Sequence, residues 1–170
     1  ICPVGAISYN QLKPNEASLP NFGNPNEILN LNKSRRSIRQ YKQEEISSEL
    51  FEKIKEMLPY IPTGCNYNGL HFSIIESKEV MDEIRKYTLE KLLKIISNKF
   101  TSKYAGKFIR FKKAFESNED VIYRQAPHMI IVSSDIKAPC ANIDPIIALS
   151  YIELYAQSLG IGTCWCGFAH

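Results

Sequence analysis

Residues 144–168 read DPIIALSYIELYAQSLGIGTCWCGF and predict a long helix followed by a glycine-rich segment. Asp144 fits an N-cap, and Pro145 fits the first helical position, where the missing proline N–H is not needed. Gly160 predicts the helix end. The apolar positions between these ends predict a core helix and are Ile147, Ile152, Tyr155, Ala156 and Leu159. The segment after Gly160 is predicted to be a strand or loop beside this helix.

Two segments upstream of this helix predict strands. LHFSIIES at 70–77 is typical of a short strand, and HMIIVSSD at 128–135 is a nearly continuous apolar run of the kind found in buried strands. Helical spacing and capping residues predict further helices over 26–32, from Ser47 or Ser48 to the prolines at 59 and 62, and over 78–96. Because helices outnumber strands and alternate with them, the fold class is predicted to be α+β.

Composition limits the function classes. The chain has 170 residues, 44% hydrophobic and 23% charged, with a formal charge of +3, which indicates one soluble domain with a short appendage and disfavours nucleic-acid binding. No stretch predicts a membrane span or a secretory signal. Five cysteines, an odd number, favour reduced thiols and a cytoplasmic protein.

The N-terminal residues are organised differently from the rest. Residues 10–25 are rich in proline and asparagine and predict a linker between a short apolar segment at 1–9 and the main domain at 26–170. The chain begins without methionine and stops abruptly after GTCWCGFAH. We expect it to be a piece of a longer polypeptide whose main domain is incomplete at the C-terminus.

The first candidate site is the basic cluster of Arg35, Arg36, Ser37 and Arg39. Guanidinium groups offer planar, bidentate donors that match phosphate oxygens, and the serine hydroxyl adds a neutral donor. These residues predict an anion site. The alternative is a solvated basic turn at the end of a helix.

The second candidate site is the loop Pro62–Asn66, which leads into the first predicted strand. Glycine at position 64 would let backbone donors approach a ligand closely, and Asn66 offers donors and an acceptor for a polar heterocycle. Cys65 is predicted to be a small buried side chain rather than a nucleophile. The alternative is an ordinary turn.

The third candidate site lies at 160–167, where glycines would allow close approach to a flat group that Trp165 could cover. The pair Cys164 and Cys166 lacks the spacing and the second pair typical of a zinc site, so we predict no metal here. No histidine pairs with a carboxylate at a diagnostic spacing, and neither a Walker loop nor a dinucleotide fingerprint is present.

Read in order, these segments resemble the FMN-dependent nitroreductase family. RRSIRQYK at 35–42 is similar to the flavin-phosphate motif, and PTGCNYNGLHFSII at 62–75 is similar to a second flavin-contact segment. APHMIIVSSD at 126–135 resembles the central strand, and residues 144–168 resemble the core helix and the flavin-facing loop. The resemblance implies a layered α/β/α sandwich with a central, mainly antiparallel sheet.

The resemblance also implies site residues, a cofactor and an assembly. FMN would lie at the interface of a homodimer and would carry the chemistry, with no catalytic side chain from the protein. The basic cluster would hold the phosphate and ribityl region, the second loop would reach the flavin from the partner subunit, and the third would line the ring. The implied cofactor-binding residues are Arg35, Arg36, Ser37, Arg39, Pro62, Thr63, Gly64, Asn66, Cys164, Trp165, Cys166 and Gly167.

The implied activity is electron transfer from NAD(P)H or reduced ferredoxin to a nitroaromatic, quinone or similar small acceptor by a ping-pong mechanism. Alternatives within the same fold are reductive dehalogenation, flavin fragmentation and azoline oxidation. An electron-transfer or flavin-storage module is a further alternative.

CPVGAI at 2–7 resembles the end of a bacterial ferredoxin module, so a longer parent protein would carry 4Fe–4S clusters and Cys2 would be a remnant of one. The basic stretch from Lys99 to Lys113 is either a solvated face or a docking site for an acidic electron carrier such as that ferredoxin.

Overall fold

The computed structural model describes Lys13, residues 23–98 and residues 106–167. The predicted ferredoxin remnant at 1–9, most of the predicted linker at 10–25, and the lysines at 99 and 103 lie outside the described residues. The chain divides into two compact units, residues 1–34 and residues 35–170. In the first unit, helix α1 spans Pro25–Ser34, which confirms the helix predicted over 26–32.

The second unit is α+β, as predicted. Its helices are α2 (Ser48–Met57), α3 (Lys78–Ser97), α4 (Lys112–Glu116) and α5 (Asp144–Ser158). Its strands are β1 (Leu70–Ile75) and β2 (Met129–Ser134). Short 3₁₀ turns cover Leu58–Tyr60, Gly64–Asn66 and Gly106–Phe111. In the described part of the chain, no helix combines the length and apolar character needed to cross a membrane.

The two strands form an antiparallel pair whose inner face packs on α5. Leu70 lies opposite Ser134, and Ile75 lies opposite Met129. Ala148 and Ile152 on α5 are buried against this face, and the small Ala148 side chain lets the helix approach the sheet. The sheet residues that pack there are Leu70, Phe72, Ile130 and Val132. A second apolar cluster forms around Ile96 of α3 and Phe115 of α4.

His128 connects the start of β2 to the segment that enters α2. Its Nε2 accepts the Ile46 N–H at 3.0 Å, and its ring meets the Phe51 ring edge-on, with centroids 5.1 Å apart. Because Nε2 accepts, the proton of the neutral ring sits on Nδ1, which is buried without a hydrogen-bond partner among the described residues. Burial lowers the pKa of His128, and this outweighs the nearby backbone of Glu76 and Ile75 and the Glu45 carboxylate, which raise it.

This environment predicts a loss of stability at acidic pH. As the pH falls through the ordinary histidine pKa of 6.5, the unfolded chain takes up a proton that the folded protein still excludes. The free energy of unfolding should therefore decrease from pH 7 towards pH 5, in urea titrations followed by circular dichroism. His128→Gln should flatten this dependence, whereas His71→Gln, at an exposed position on β1, should not. Equal slopes in both variants would contradict the role of His128.

Candidate functional site

The basic segment after α1 lies directly against the segment that follows α5. The Ile38 N–H donates to the Thr163 carbonyl at 2.8 Å. Gly162 permits this approach, because a Cβ at that position would lie 2.8 Å from Cγ1 of Ile38. The structure therefore brings the first and third candidate sites together.

Glu153, on α5, connects the same two segments through its side chain. One carboxylate oxygen lies 3.1 Å from Nη1 of Arg35, and the other accepts the Trp165 indole N–H at 3.2 Å. Glu153 was not among the predicted site residues. The available signal was that Glu153 is the only Asp, Glu, Lys or Arg between residues 145 and 170.

The other predicted donors of the basic segment have different environments. Arg36 turns back on its own chain, where Nη1 donates to the Arg35 carbonyl at 2.7 Å. Arg39 is exposed and Ser37 is half-buried. A guanidinium carries five N–H donors, so the contacts made by Nη1 leave Arg35, Arg36, Arg39 and Ser37 all as candidate donors for an anion.

Tyr41 is a second residue that the sequence analysis did not select. Its hydroxyl donates to the Ile38 carbonyl at 2.7 Å, and this hydrogen bond stabilises the conformation of the basic segment. Burial raises the pKa of Tyr41 to about 12, with a further contribution from Cys164, while the positive charges of Arg124 and Arg39 act in the opposite direction. The phenol therefore stays neutral at physiological pH and keeps its donor hydrogen.

The segment after α5 is irregular, in agreement with the predicted strand or loop. Trp165 is 43% exposed, and no atom of the described residues, apart from those of Gly167 and its chain neighbours, lies within 4 Å of the position that a Cβ on Gly167 would take. The Cys166 thiol lies 3.6 Å from the Ile122 carbonyl, and Cys164 is also a free thiol. Among the residues that the structure describes, no group of three or more His, Cys, Asp or Glu side chains could hold a metal ion.

The loop at Pro62–Asn66 is built from unusual backbone conformations. Cys65 and Asn66 have φ angles of 54° and 52°, in the left-handed region, which asparagine tolerates and cysteine rarely adopts. The prediction that Cys65 is buried is wrong, because this turn leaves Cys65 exposed. The thiol that packs against this loop is that of the half-buried Cys140, since a Cβ on Gly64 would lie 2.5 Å from its sulfur.

Asp144 holds this loop, and its predicted role as N-cap of α5 is wrong. The N-cap is Ile143, because the preceding turn already has helix-like hydrogen bonds, with the Ile143 and Asp144 N–H groups both donating to the Cys140 carbonyl. Asp144 is therefore the first helical residue. Its buried carboxylate accepts the Gly64 N–H, with N···O distances of 3.1 and 3.2 Å.

The three candidate sites thus fall into two groups along α5. The loop at Pro62–Asn66 is held at the first residue of the helix, whereas the other two segments are held at Glu153. Nine positions separate Asp144 from Glu153, about 14 Å along a helix axis. Within one chain, the structure does not bring the second candidate site to the other two.

The donor set of the joined segments fits FMN. Arg35, Arg39 and Ser37 provide the charged and neutral donors that suit a phosphate. Trp165 provides an exposed aromatic face, and the missing side chain of Gly167 would allow a flat ring to approach the backbone closely. The phosphate donors and Trp165 lie on two segments that are joined by the backbone hydrogen bond between Ile38 and Thr163.

Comparison with known proteins agrees with this fold. The Nitroreductase family pattern matches residues 33–170, which is most of the chain. The chain belongs to the nitroreductase family.

Individual relatives are similar over most of this chain. A protein of Methanothermobacter thermautotrophicus, named as a candidate NADH dehydrogenase/NAD(P)H nitroreductase, is 27% identical over 145 residues. That alignment covers 83% of this chain but only 61% of the relative. The crystal structure of a nitroreductase with bound FMN from Bacteroides fragilis is 28% identical, with a TM-score of 0.66, covering 82% of this chain and 69% of that one. The crystal structure of an FMN-bound nitroreductase from Desulfitobacterium hafniense gives the same identity and TM-score, and the match covers 84% of this chain and 70% of that one.

Proposed function

We propose that this chain binds FMN and serves as an FMN-dependent oxidoreductase. The electrons would pass from NAD(P)H to a small acceptor such as a nitroaromatic or a quinone. The observation that carries the proposal is the direct contact between the basic segment and the Trp165 segment through Ile38 and Thr163. This contact supports the proposal because it joins the segment with the candidate phosphate donors to the segment that carries Trp165. The FMN-bound relatives share the fold over more than four-fifths of this chain.

Each side chain then has a role in binding or orientation. Arg39 and Ser37 would bind the FMN phosphate together with the outward N–H groups of Arg35. Tyr41 would keep the basic segment in place through the Ile38 carbonyl. Trp165 would lie along the isoalloxazine ring and shield it from water. When bound, FMN supplies the two-electron chemistry, with donor and acceptor using the site in turn.

We also propose that the site is completed by a second copy of this chain. The loop at Pro62–Asn66 is held about 14 Å along α5 from Glu153, so it would contribute to the FMN of the partner rather than to its own. The surface of α5 beside this loop supports the same arrangement. Ile143, just before α5, and Ile146 and Tyr151 on it are 55%, 45% and 49% exposed, so these side chains are accessible to a second copy.

The proposal is tested by reconstitution of the purified chain with FMN. We expect yellow protein after gel filtration, a mass in light scattering of twice the chain mass, and bleaching of the flavin bands by NADH or NADPH under nitrogen. If only dithionite or reduced ferredoxin bleaches the flavin bands, NAD(P)H is not the electron donor and that part of the proposal is wrong. A folded protein that retains no FMN would overturn the proposed function, and a monomeric protein that binds FMN fully would overturn the shared site.

A further inference from the structure

We propose that Glu153 is a positioning residue for the flavin site, a role that rests on the proposed function. Its two carboxylate oxygens hold the Arg35 guanidinium and the Trp165 indole N–H. Through these contacts, Glu153 would fix the geometry between the phosphate donors and the side chain that covers the ring.

Glu153 is a nearly buried carboxylate and therefore needs hydrogen-bond donors. Its side chain is only 12% exposed, on a helix whose only other charged residue is Asp144. A carboxylate in such surroundings is costly unless its oxygens accept hydrogen bonds from charged or polar donors. Both oxygens of Glu153 do so, and the two donors come from segments more than 120 residues apart in sequence.

The contact restrains Arg35 without using up its donors. A guanidinium carries five N–H donors, and the contact with Glu153 is made by Nη1. The remaining donors can bind an anion, and the Arg35 side chain is 38% exposed. A side chain that is already held loses less conformational freedom when its ligand binds, so the ion pair should favour FMN binding by preorganisation.

The contact also fixes the rotation of Trp165. The indole N–H points towards the helix, so the ring is held at its polar edge while 43% of the residue remains exposed. Trp165 is the only tryptophan in the chain, so its fluorescence reports this contact directly.

The test compares Glu153→Gln with Glu56→Gln, a matched change at an exposed carboxylate on α2. Glutamine keeps the size of the side chain but has only one oxygen, so it can serve only one of the two donors and leaves no buried charge. Two quantities are measured on each variant: acrylamide quenching of Trp165 fluorescence without FMN, and the Kd for FMN from quenching of flavin fluorescence.

We expect Glu153→Gln to raise the quenching constant of Trp165 about twofold and to weaken FMN binding about tenfold, roughly the effect of one charge-assisted hydrogen bond. Glu56→Gln should change neither. In an Arg35→Gln background, Glu153→Gln should weaken FMN binding much less, because part of its effect passes through Arg35. If Glu153 were purely structural, its replacement would lower the Tm but leave the quenching constant of Trp165 and the Kd for FMN unchanged at temperatures where the variant is folded.

Unchanged or tighter FMN binding in Glu153→Gln would overturn the inference, and tighter binding would identify Glu153 as a competitor of the phosphate. If wild-type protein binds no FMN, the proposed function fails. In that case the quenching measurement alone decides whether Glu153 positions Trp165, and equal quenching in the two variants overturns that as well.

Discussion

Replacing Arg39 with alanine is expected to weaken FMN binding about 10- to 100-fold, while riboflavin binding should change by less than about twofold. Charge-assisted hydrogen bonds to a phosphate contribute about 1.5–3 kcal/mol each, which corresponds to this range. Arg39 is exposed on the segment that also carries Arg35 and Ser37. The measurement is a fluorescence titration of each variant with FMN and, separately, with riboflavin, which has the same ring but no phosphate.

Lys42→Ala is the control for this prediction. Lys42 is an exposed cation three residues further along, so it tests whether any nearby positive charge has the same effect. FMN affinity in Lys42→Ala should stay within about threefold of wild type, as expected for a screened charge at a distance. Equal losses for FMN and riboflavin in Arg39→Ala would show that Arg39 supports the fold of the site rather than binding the phosphate.

Replacing Asp144 with alanine is expected to lower the free energy of unfolding by about 2–3 kcal/mol. The change leaves the Gly64 N–H without its carboxylate acceptor and removes the negative charge from the first turn of α5. Asp144 is only 2% exposed, so water cannot readily replace the lost oxygen. The measurement is urea unfolding followed by circular dichroism.

Two comparisons separate this effect from general damage. Glu90→Ala, at an exposed position on α3, should change the free energy of unfolding by less than about 0.5 kcal/mol. Asp144→Asn keeps one oxygen for Gly64 and should lose only part of what the alanine variant loses. If Asp144→Ala were as stable as Glu90→Ala, the hydrogen bond to Gly64 would contribute little to folding.

The features predicted correctly from the sequence are those set by interactions between neighbouring residues. Helices α2, α3 and α5 and strands β1 and β2 were predicted within a few residues, because their apolar spacing and end signals are local properties of the chain. The motif order pointed to the nitroreductase family, which the match over residues 33–170 confirms. The assigned FMN-binding roles of the site residues remain predictions.

Three features required the folded chain. Asp144 looked like an N-cap, but the turn after Cys140 begins the helix one residue earlier and frees the carboxylate for Gly64. Cys65 looked like a small buried side chain, but the left-handed turn leaves it exposed and the half-buried Cys140 packs against Gly64 instead. Glu153 looked like one residue on a core helix, although it holds two segments of the site.

Local sequence therefore determined the secondary structure, the fold class and the residue types of the candidate site. The tertiary structure decided which of those residues meet. Arg35, Glu153 and Trp165 come together only because the fold brings both segments to the same side chain on α5, and hydrogen bonds across such separations leave no periodic signal in the chain. The separation of the loop at Pro62–Asn66 from the other two segments has the same origin, since it depends on which residue of α5 each segment binds.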